Sequence, residues 1–115
     1  MPIEPGLRFS HIGIPTDCSD MVWIYLKEFR ARISDFRESP YAAEWLYFHD
    51  DSSVPEDIQE QAHVAYECDD LEEALKDKYV LMPPFEPFPG FRCAFLKSAG
   101  VVVELIQRVE PPANG

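Results

Sequence analysis

The sequence contains two similar segments far apart along the chain, and this repeat constrains the fold more than any other feature. Each segment is a short apolar run that begins with a histidine, His11 or His63, and an aspartate, Asp17 or Asp69, follows six residues later. Such a run predicts a strand, and an aspartate after it suits the start of a helix. Two copies of one supersecondary unit are therefore expected to share one sheet.

The remaining elements are predicted from spacing and composition. Apolar residues at helical spacing predict a helix over residues 20–30, and Asp70 with Glu73 forms a capping-box pattern that starts a second helix. Strand composition marks residues 33–37, 44–48, 91–97 and 101–107, the last two around a tight turn. Because tight turns and not crossover helices separate the late strands, we predict an α+β fold. It consists of two βαβββ-like modules in a cupped mixed sheet, with the first module shortened.

These predictions divide one domain, residues 1–115, into two modules. Module one covers about 7–53 and module two about 62–108, with a flexible tail at 109–115. Proline clustering over residues 83–89 predicts a rigid extended connection inside the second module. At 46% hydrophobic residues the chain can bury one core.

The charge of the chain disfavours several classes of partner. Lys and Arg total 10 against 21 Asp and Glu, for a net charge of -11, so the average surface repels nucleic acid and anionic lipid. No apolar run approaches the roughly 20 residues of a membrane span, and the first residues lack a signal-peptide pattern. We expect a cytoplasmic protein. The cysteines, Cys18, Cys68 and Cys93, are unpaired in spacing and are expected to be free thiols.

Glu104 is the most unusual residue for its context. It lies in the apolar run VVVELI, and a carboxylate that faces an apolar sheet interior is costly unless it is paired or binds a metal. Alternatively, the strand is at a sheet edge and Glu104 points into solvent.

The two repeat histidines offer a complementary set of ligands. Two residues after His11 and His63, on the same strand face, stand the small residues Gly13 and Ala65, which leave room for a ligand. Two imidazoles and one carboxylate suit a divalent cation such as Zn, Ni, Mn or Fe(II). Either histidine alone would more often be a core residue with one hydrogen bond.

Three segments carry a family resemblance: HIGI (11–14), HVAYECDDL (63–71) and GVVVELI (100–106). They resemble the module openings and the final strand of glyoxalase-like proteins of the vicinal-oxygen-chelate superfamily, which includes dioxygenases and bleomycin-resistance proteins. The resemblance implies His11, His63 and Glu104 as metal ligands, with a fourth from module one, for which Glu44 and Glu56 compete. It also implies polarisation of a carbonyl or enediolate by the ion, with a carboxylate moving a proton. Glu104 and Glu67 are the candidates for that role.

Other residues are candidates for binding a substrate. Arg92 and Arg37 could hold an anionic group, and aromatic side chains could form apolar walls; these are Trp45, Tyr47, Phe48 and Phe95. Ordinary surface charge and core packing are the alternatives.

Three functions follow from these patterns. The first is a metal-dependent lyase, isomerase or dioxygenase-type enzyme acting on a small oxygenated molecule. The second is a metal-free protein that sequesters a small molecule, as antibiotic-resistance members of the superfamily do. The third is a regulatory or assembly module whose acidic surface meets a partner protein. Size and fold analogy predict a homodimer.

Overall fold

The computed structural model describes residues 3–109 as one strongly curled, mixed sheet with few helices. The strands are β1 (Arg8–Pro15), β2 (Ile24–Leu26), β3 (Ala31–Ile33), β4 (Ala43–Phe48), β5 (His63–Glu67), β6 (Tyr79–Phe88), β7 (Phe91–Ser98) and β8 (Val101–Arg108). The helices are α1 (Glu56–Glu60) and α2 (Leu71–Ala74), and 3₁₀ turns cover Ser19–Met21, Lys27–Phe29 and Phe36–Glu38. The predicted cupped mixed sheet is present.

The two halves of the sheet have the same strand arrangement. The order across the sheet is β2-β3-β4-β1-β5-β8-β7-β6. In each half the first strand is parallel to the fourth, β1 to β4 and β5 to β8, and the fourth is antiparallel to the third. The opening strands β1 and β5 are antiparallel neighbours at the centre. The repeat seen in the sequence therefore has a counterpart in the topology.

The prediction of a helix over residues 20–30 is wrong. This segment forms β2 between two 3₁₀ turns, and β2 pairs with β3. Ile24 and Leu26 line the inside of the cup, while Tyr25 between them is exposed. Arg30 at φ +50° then reverses the chain. Strand pairing and burial inside the cup outweigh the helical spacing of apolar residues, which is only a weak local preference.

The first half also has more strands than expected. The strand predicted at 33–37 lies earlier, as β3, and Phe36–Glu38 is a 3₁₀ turn. The strand predicted at 44–48 is confirmed as β4. The first half thus contains four strands, like the second, and the prediction that it is short of strands is wrong. It lacks the α-helix that follows the opening strand in the second half.

The second half follows the predictions closely. Asp70 caps α2 by accepting a hydrogen bond from the Glu73 amide at 3.1 Å, and the Gln107 side chain accepts one from the Leu71 amide at 2.9 Å. The β7–β8 hairpin turns through Ala99 and Gly100, both at positive φ as its type requires. The proline-rich segment is part of β6, an edge strand with irregular register, where missing amide donors are tolerated.

Apolar side chains fill both faces of the sheet in its second half. On the outer face, α2 buries Leu71 against a cluster that includes Cys68, Ala94, Leu96 and Leu105. On the inner face, α1 buries Ile58 in a cluster that includes Val54, Phe95 and Val102.

The curl of the sheet brings its two ends together. Phe29 follows β2, the first strand in the sheet order, and Phe85 belongs to β6, the last. Their rings meet edge to face with centroids 5.0 Å apart. This contact closes the wall of the cup.

Within residues 3–109, no helix is both long and apolar enough to cross a membrane. Most of the predicted flexible tail, residues 110–115, lies outside the described residues.

Candidate metal centre

His11, His63 and Glu104 come together on the inner face of the three central strands. In one row across the sheet, His11 of β1 is opposite Ala65, and Ala65 is opposite Glu104 of β8. In the next row, Gly13 stands between Glu44 of β4 and His63 of β5. Each row therefore places a small residue between two functional side chains.

The contacts within this cluster are close. The Glu104 Oε1 atom lies 3.3 Å from His11 Nε2 and 3.2 Å from His63 Nε2. Glu44 Oε1 lies 3.7 Å from His11 Nε2. One ligand atom each from His11, Glu44 and His63 all lie within 4.8 Å of one another. The four side chains are thus close enough to surround one ion.

The two imidazoles are buried without hydrogen-bond partners on the nitrogens that face the cluster. His11 and His63 are each 2% exposed. Although Glu104 is near, neither Nε2 makes an aligned hydrogen bond with any residue in the 3–109 range, and His63 Nδ1 has none either. Buried polar groups are normally paired, so these nitrogens call for an explanation. A cation between them and the carboxylates would supply one.

Neighbouring side chains fix the orientation of the histidine rings. Ser10 Oγ lies 2.9 Å from His11 Nδ1, on the far side of the ring from the cluster. Phe36 stacks on His11 with centroids 4.2 Å apart, and Phe95 meets the His63 ring edge to face at 5.0 Å. A ring held in this way loses little freedom when it binds a ligand.

The environment separates the pKa values of the two carboxyl groups. Burial raises the pKa of Glu44 to about 8, and the negative charge of Glu104 adds to this effect. Burial also opposes the ionisation of Glu104, yet the two imidazoles outweigh it and lower the pKa of Glu104 to about 2. In the metal-free cluster the environment therefore favours the ionised form of Glu104 and the protonated form of Glu44.

The structure separates the two candidates for the fourth ligand. Glu44 points into the cluster from β4. Glu56 is the first residue of α1 and is exposed. Of these two candidates, only Glu44 lies beside the histidines.

An open cavity gives access to the cluster. Its volume is about 260 Å³, and His11, Glu44 and Glu104 line it. The exposed side chains of Arg37 and Arg108 also line it and mark its mouth. A second cavity of about 80 Å³ shares Glu44 and Glu104 with the first. The cluster therefore borders two compartments.

Comparison with known proteins supports the fold of this chain but identifies no function. Neither a family model nor a curated protein matches the sequence. A solved structure is similar: "hypothetical protein BH1468 from Bacillus halodurans C-125", with a TM-score of 0.71 and 18% identity, covering 94% of this chain and 99% of that one. At this identity the likeness concerns the fold alone.

The remaining predicted site residues divide into two groups. Phe95 and Phe48 line the smaller cavity, and Arg37 and Glu67 line the larger one. Both charged residues are already paired: Arg37 donates two hydrogen bonds to Asp35, and Arg108 Nε donates to Glu67 at 2.5 Å. Glu67 therefore sits toward the mouth and not in the ligand cluster.

Three predicted substrate contacts are not brought to either cavity. Arg92 is paired with Glu72 of α2 at 2.6 Å. Trp45 and Tyr47 alternate along β4 with Glu44, Leu46 and Phe48, which line the cavities, so they face the opposite side of the sheet. The prediction that Trp45 and Tyr47 form a pocket wall is wrong, because β4 directs these two side chains away from the concave face of the sheet.

Sequence analysis missed several residues of the site. Ser10 precedes His11, and adjacent strand residues normally face opposite sides, but a register irregularity between Phe9 and His11 brings Ser10 to the histidine. Nothing in the sequence signals this irregularity. Phe36, Arg108 and the buried thiol of Cys93, whose pKa is raised by burial, also line the larger cavity.

Proposed function

We propose that the chain is a glyoxalase-like enzyme of the vicinal-oxygen-chelate superfamily that uses a divalent metal to act on a small oxygenated molecule. The observation that carries this proposal is the convergence of two buried, unpartnered imidazole nitrogens on one carboxylate oxygen, each within 3.3 Å of it. The repeated four-strand arrangement supports the family assignment. In this interpretation the halves are two βαβββ modules, the first of which has lost its helix.

The residues present fit a metal ion. His11 and His63 would bind through Nε2, and Glu44 and Glu104 through carboxylate oxygens, a set that suits Zn, Ni, Mn or Fe(II). Ser10 beside His11 Nδ1 is the kind of outer partner that orients a ligating imidazole. A nearby cation would also favour the ionised form of Glu44.

The chain's own residues would divide the chemical work. When bound, the ion would supply polarisation of a substrate carbonyl or enediolate oxygen. Glu44 and Glu104 border the larger cavity, where either carboxylate, once ionised beside the cation, would be placed to accept a proton from a bound ligand. Glu67 is a weaker candidate because Arg108 holds it near the mouth. Phe36 packs on the His11 ring and Phe95 on the His63 ring, which leaves little of either ring in contact with solvent.

The alternative is a metal-free protein that binds and sequesters a small molecule. The cavity of about 260 Å³ favours it equally, because such a cavity serves a binding protein as well as an enzyme. The third function, an assembly module, predicts a filled core, and the cavity argues against it. The expected homodimer is part of the same proposal and rests on size and fold analogy. The cytoplasmic location stays a prediction from the sequence.

Metal analysis separates the enzyme from the binding protein. The protein is purified without a histidine tag, offered Zn, Ni, Mn and Fe(II), and freed of loosely bound ions. We expect one ion per chain in the wild type and almost none in His11→Ala or His63→Ala. His49→Ala is the matched control, since this third histidine packs against Tyr25 and Tyr47, away from the cluster, and should keep the metal. A wild type that holds no metal would favour the sequestering protein.

A further inference from the structure

The smaller cavity has no part in metal binding as described above, yet it borders the two carboxylates. We propose that it receives a short alkyl group of the ligand, and that it is too small for a phenyl ring. This inference rests on the proposed function for where the ligand's oxygen atoms lie. We call this cavity the alkyl compartment; its lining includes Leu26, Phe29, Ala31, Phe48, Met82 and Phe85.

The chemistry of the lining selects an apolar group. Within the described chain, Glu44 and Glu104 are the only polar residues that line the alkyl compartment, and both lie on the border with the larger cavity. A hydroxyl or amide deep in the compartment would find no partner and would lose its hydrogen bonds to water. An alkyl group loses nothing there and gains from leaving water.

The volume decides between alkyl and aryl groups. An engineered apolar cavity that binds benzene has about 150 Å³. The alkyl compartment has about 80 Å³, roughly half of that. It therefore suits a branched group of about three carbon atoms, whose volume is correspondingly smaller than that of a phenyl ring.

The position of the compartment connects it to the metal centre. The two cavities share Ile33, Glu44, Pro87, Phe88 and Glu104. A ligand with its oxygens at the cluster can therefore place one substituent in the alkyl compartment. The rest of such a ligand would point toward Arg37 and Arg108 at the mouth of the larger cavity.

A few side chains set the size of the compartment. Phe85 meets Phe29 edge to face at 5.0 Å and is nearly parallel to Phe95, with centroids 6.2 Å apart. Ala31 on β3 is 2% exposed and lines the opposite half of the cup. A smaller residue at position 85 should enlarge the compartment, and a larger one at position 31 should fill it.

The test uses hydroxamates, which bind metals through two oxygens, on the cobalt-loaded chain. Dissociation constants for aceto-, isobutyro- and benzohydroxamate are read from the visible absorption of cobalt. Since two more carbons are buried, we expect isobutyrohydroxamate to bind about tenfold more tightly than acetohydroxamate. Benzohydroxamate should bind no more tightly than acetohydroxamate. Affinities within twofold across the series would overturn the inference.

Two variants move the preference in opposite directions. Ala31→Leu should abolish the gain of isobutyrohydroxamate while acetohydroxamate still binds. Phe85→Leu should let benzohydroxamate bind several-fold more tightly than it binds the wild type. If Ala31→Leu does not fold, Ala31→Val replaces it and should reduce the same gain. Unchanged preferences in folded variants would contradict the assignment of the compartment.

A metal-free measurement keeps this inference separate from the proposed function. In protein treated with a chelator, isobutanol should shift the methyl resonance of Ala31 in a saturable way, and benzene at equal concentration should not. If cobalt fails to bind but isobutanol shifts this resonance, the alkyl compartment is supported and the proposed metal centre is contradicted. If isobutanol has no effect or benzene binds equally well, the compartment is contradicted whether or not metal binds.

Discussion

At the scale of single residues, the site depends on two very small residues, Gly13 and Ala65. Gly13 and Ala65 each stand between two candidate ligands in the sheet register. The sequence indicated that small residues at these positions leave space, but the space is filled by side chains of the adjacent strands. A Cβ on Gly13 would lie 2.1 Å from the Cε1 atom of His63. Glycine is required here by this close approach and not by its backbone conformation.

Gly13→Ala should therefore displace the His63 ring. We expect a loss of roughly 1–3 kcal/mol in the free energy of unfolding, since the overlap involves a packed ring. Metal affinity should fall about tenfold or more. Urea titration and metal titration measure the two effects.

Gly6→Ala is the control for this substitution. Its φ of +86° makes alanine unfavourable, but an added Cβ would meet no atom within 4 Å. It should lower stability while leaving metal affinity unchanged. Equal metal affinity in Gly13→Ala and the wild type would contradict the role given to Gly13.

The separated pKa values of the carboxyl pair predict a pH dependence of the metal-free protein. In the folded protein the pKa of Glu44 is raised to about 8 by burial, from an ordinary pKa of 4.5. Because the folded state binds the extra proton, the stabilisation by this group is complete below the ordinary value and is lost as pH rises toward 8. The Glu44→Gln variant lacks this loss. Its stability relative to the wild type should increase by a few kcal/mol between pH 5 and pH 8.

Urea unfolding with a chelator present measures this difference at both pH values. Glu56→Gln, at an exposed position of α1, is the matched control and should show no such change. A constant difference between Glu44→Gln and the wild type would show that Glu44 is not held protonated by its burial.

At the scale of elements, predictions held where local and tertiary signals agree. The second half has a capped helix and a tight hairpin, and both were predictable from Asp70, Glu73 and the turn before Val101. In the first half, apolar residues at helical spacing form β2, because β3 provides backbone partners and the cup buries Ile24 and Leu26. This outcome depends on contacts with distant strands, which no local pattern contains.

The cap of α2 offers a test at this scale. Asp70→Ala removes the acceptor of the Glu73 amide and should cost about 1 kcal/mol of unfolding free energy. Asp69→Ala is the matched control, because within residues 3–109 the Asp69 side chain makes only an exposed ion pair with Arg8 at 3.1 Å and should matter much less. Equal effects of the two substitutions in urea titrations would contradict the capping role.

At the scale of the whole molecule, the curl of the sheet brings the two histidines of the sequence repeat and two carboxylates into one site. The antiparallel pairing of β1 with β5 puts both module-opening histidines on one inner face, and the parallel strands beside them add one carboxylate each. His11, His63 and Glu104 were predictable because the repeat and the apolar run single them out. The sequence could not decide between Glu44 and Glu56 or show which side of β4 faces inward. Both depend on the direction in which the sheet curves.

His11, Glu44, His63 and Glu104 are proposed to form one metal centre, and the X-ray absorption spectrum of the zinc- or nickel-loaded protein is the decisive test of that assignment. We expect a first shell of nitrogen and oxygen, with outer scattering from two imidazole rings in the wild type and from one in His63→Ala. A spectrum that requires sulfur, which would point to Cys93 in the cavity wall, or fewer than two imidazoles in the wild type, would contradict the proposed centre.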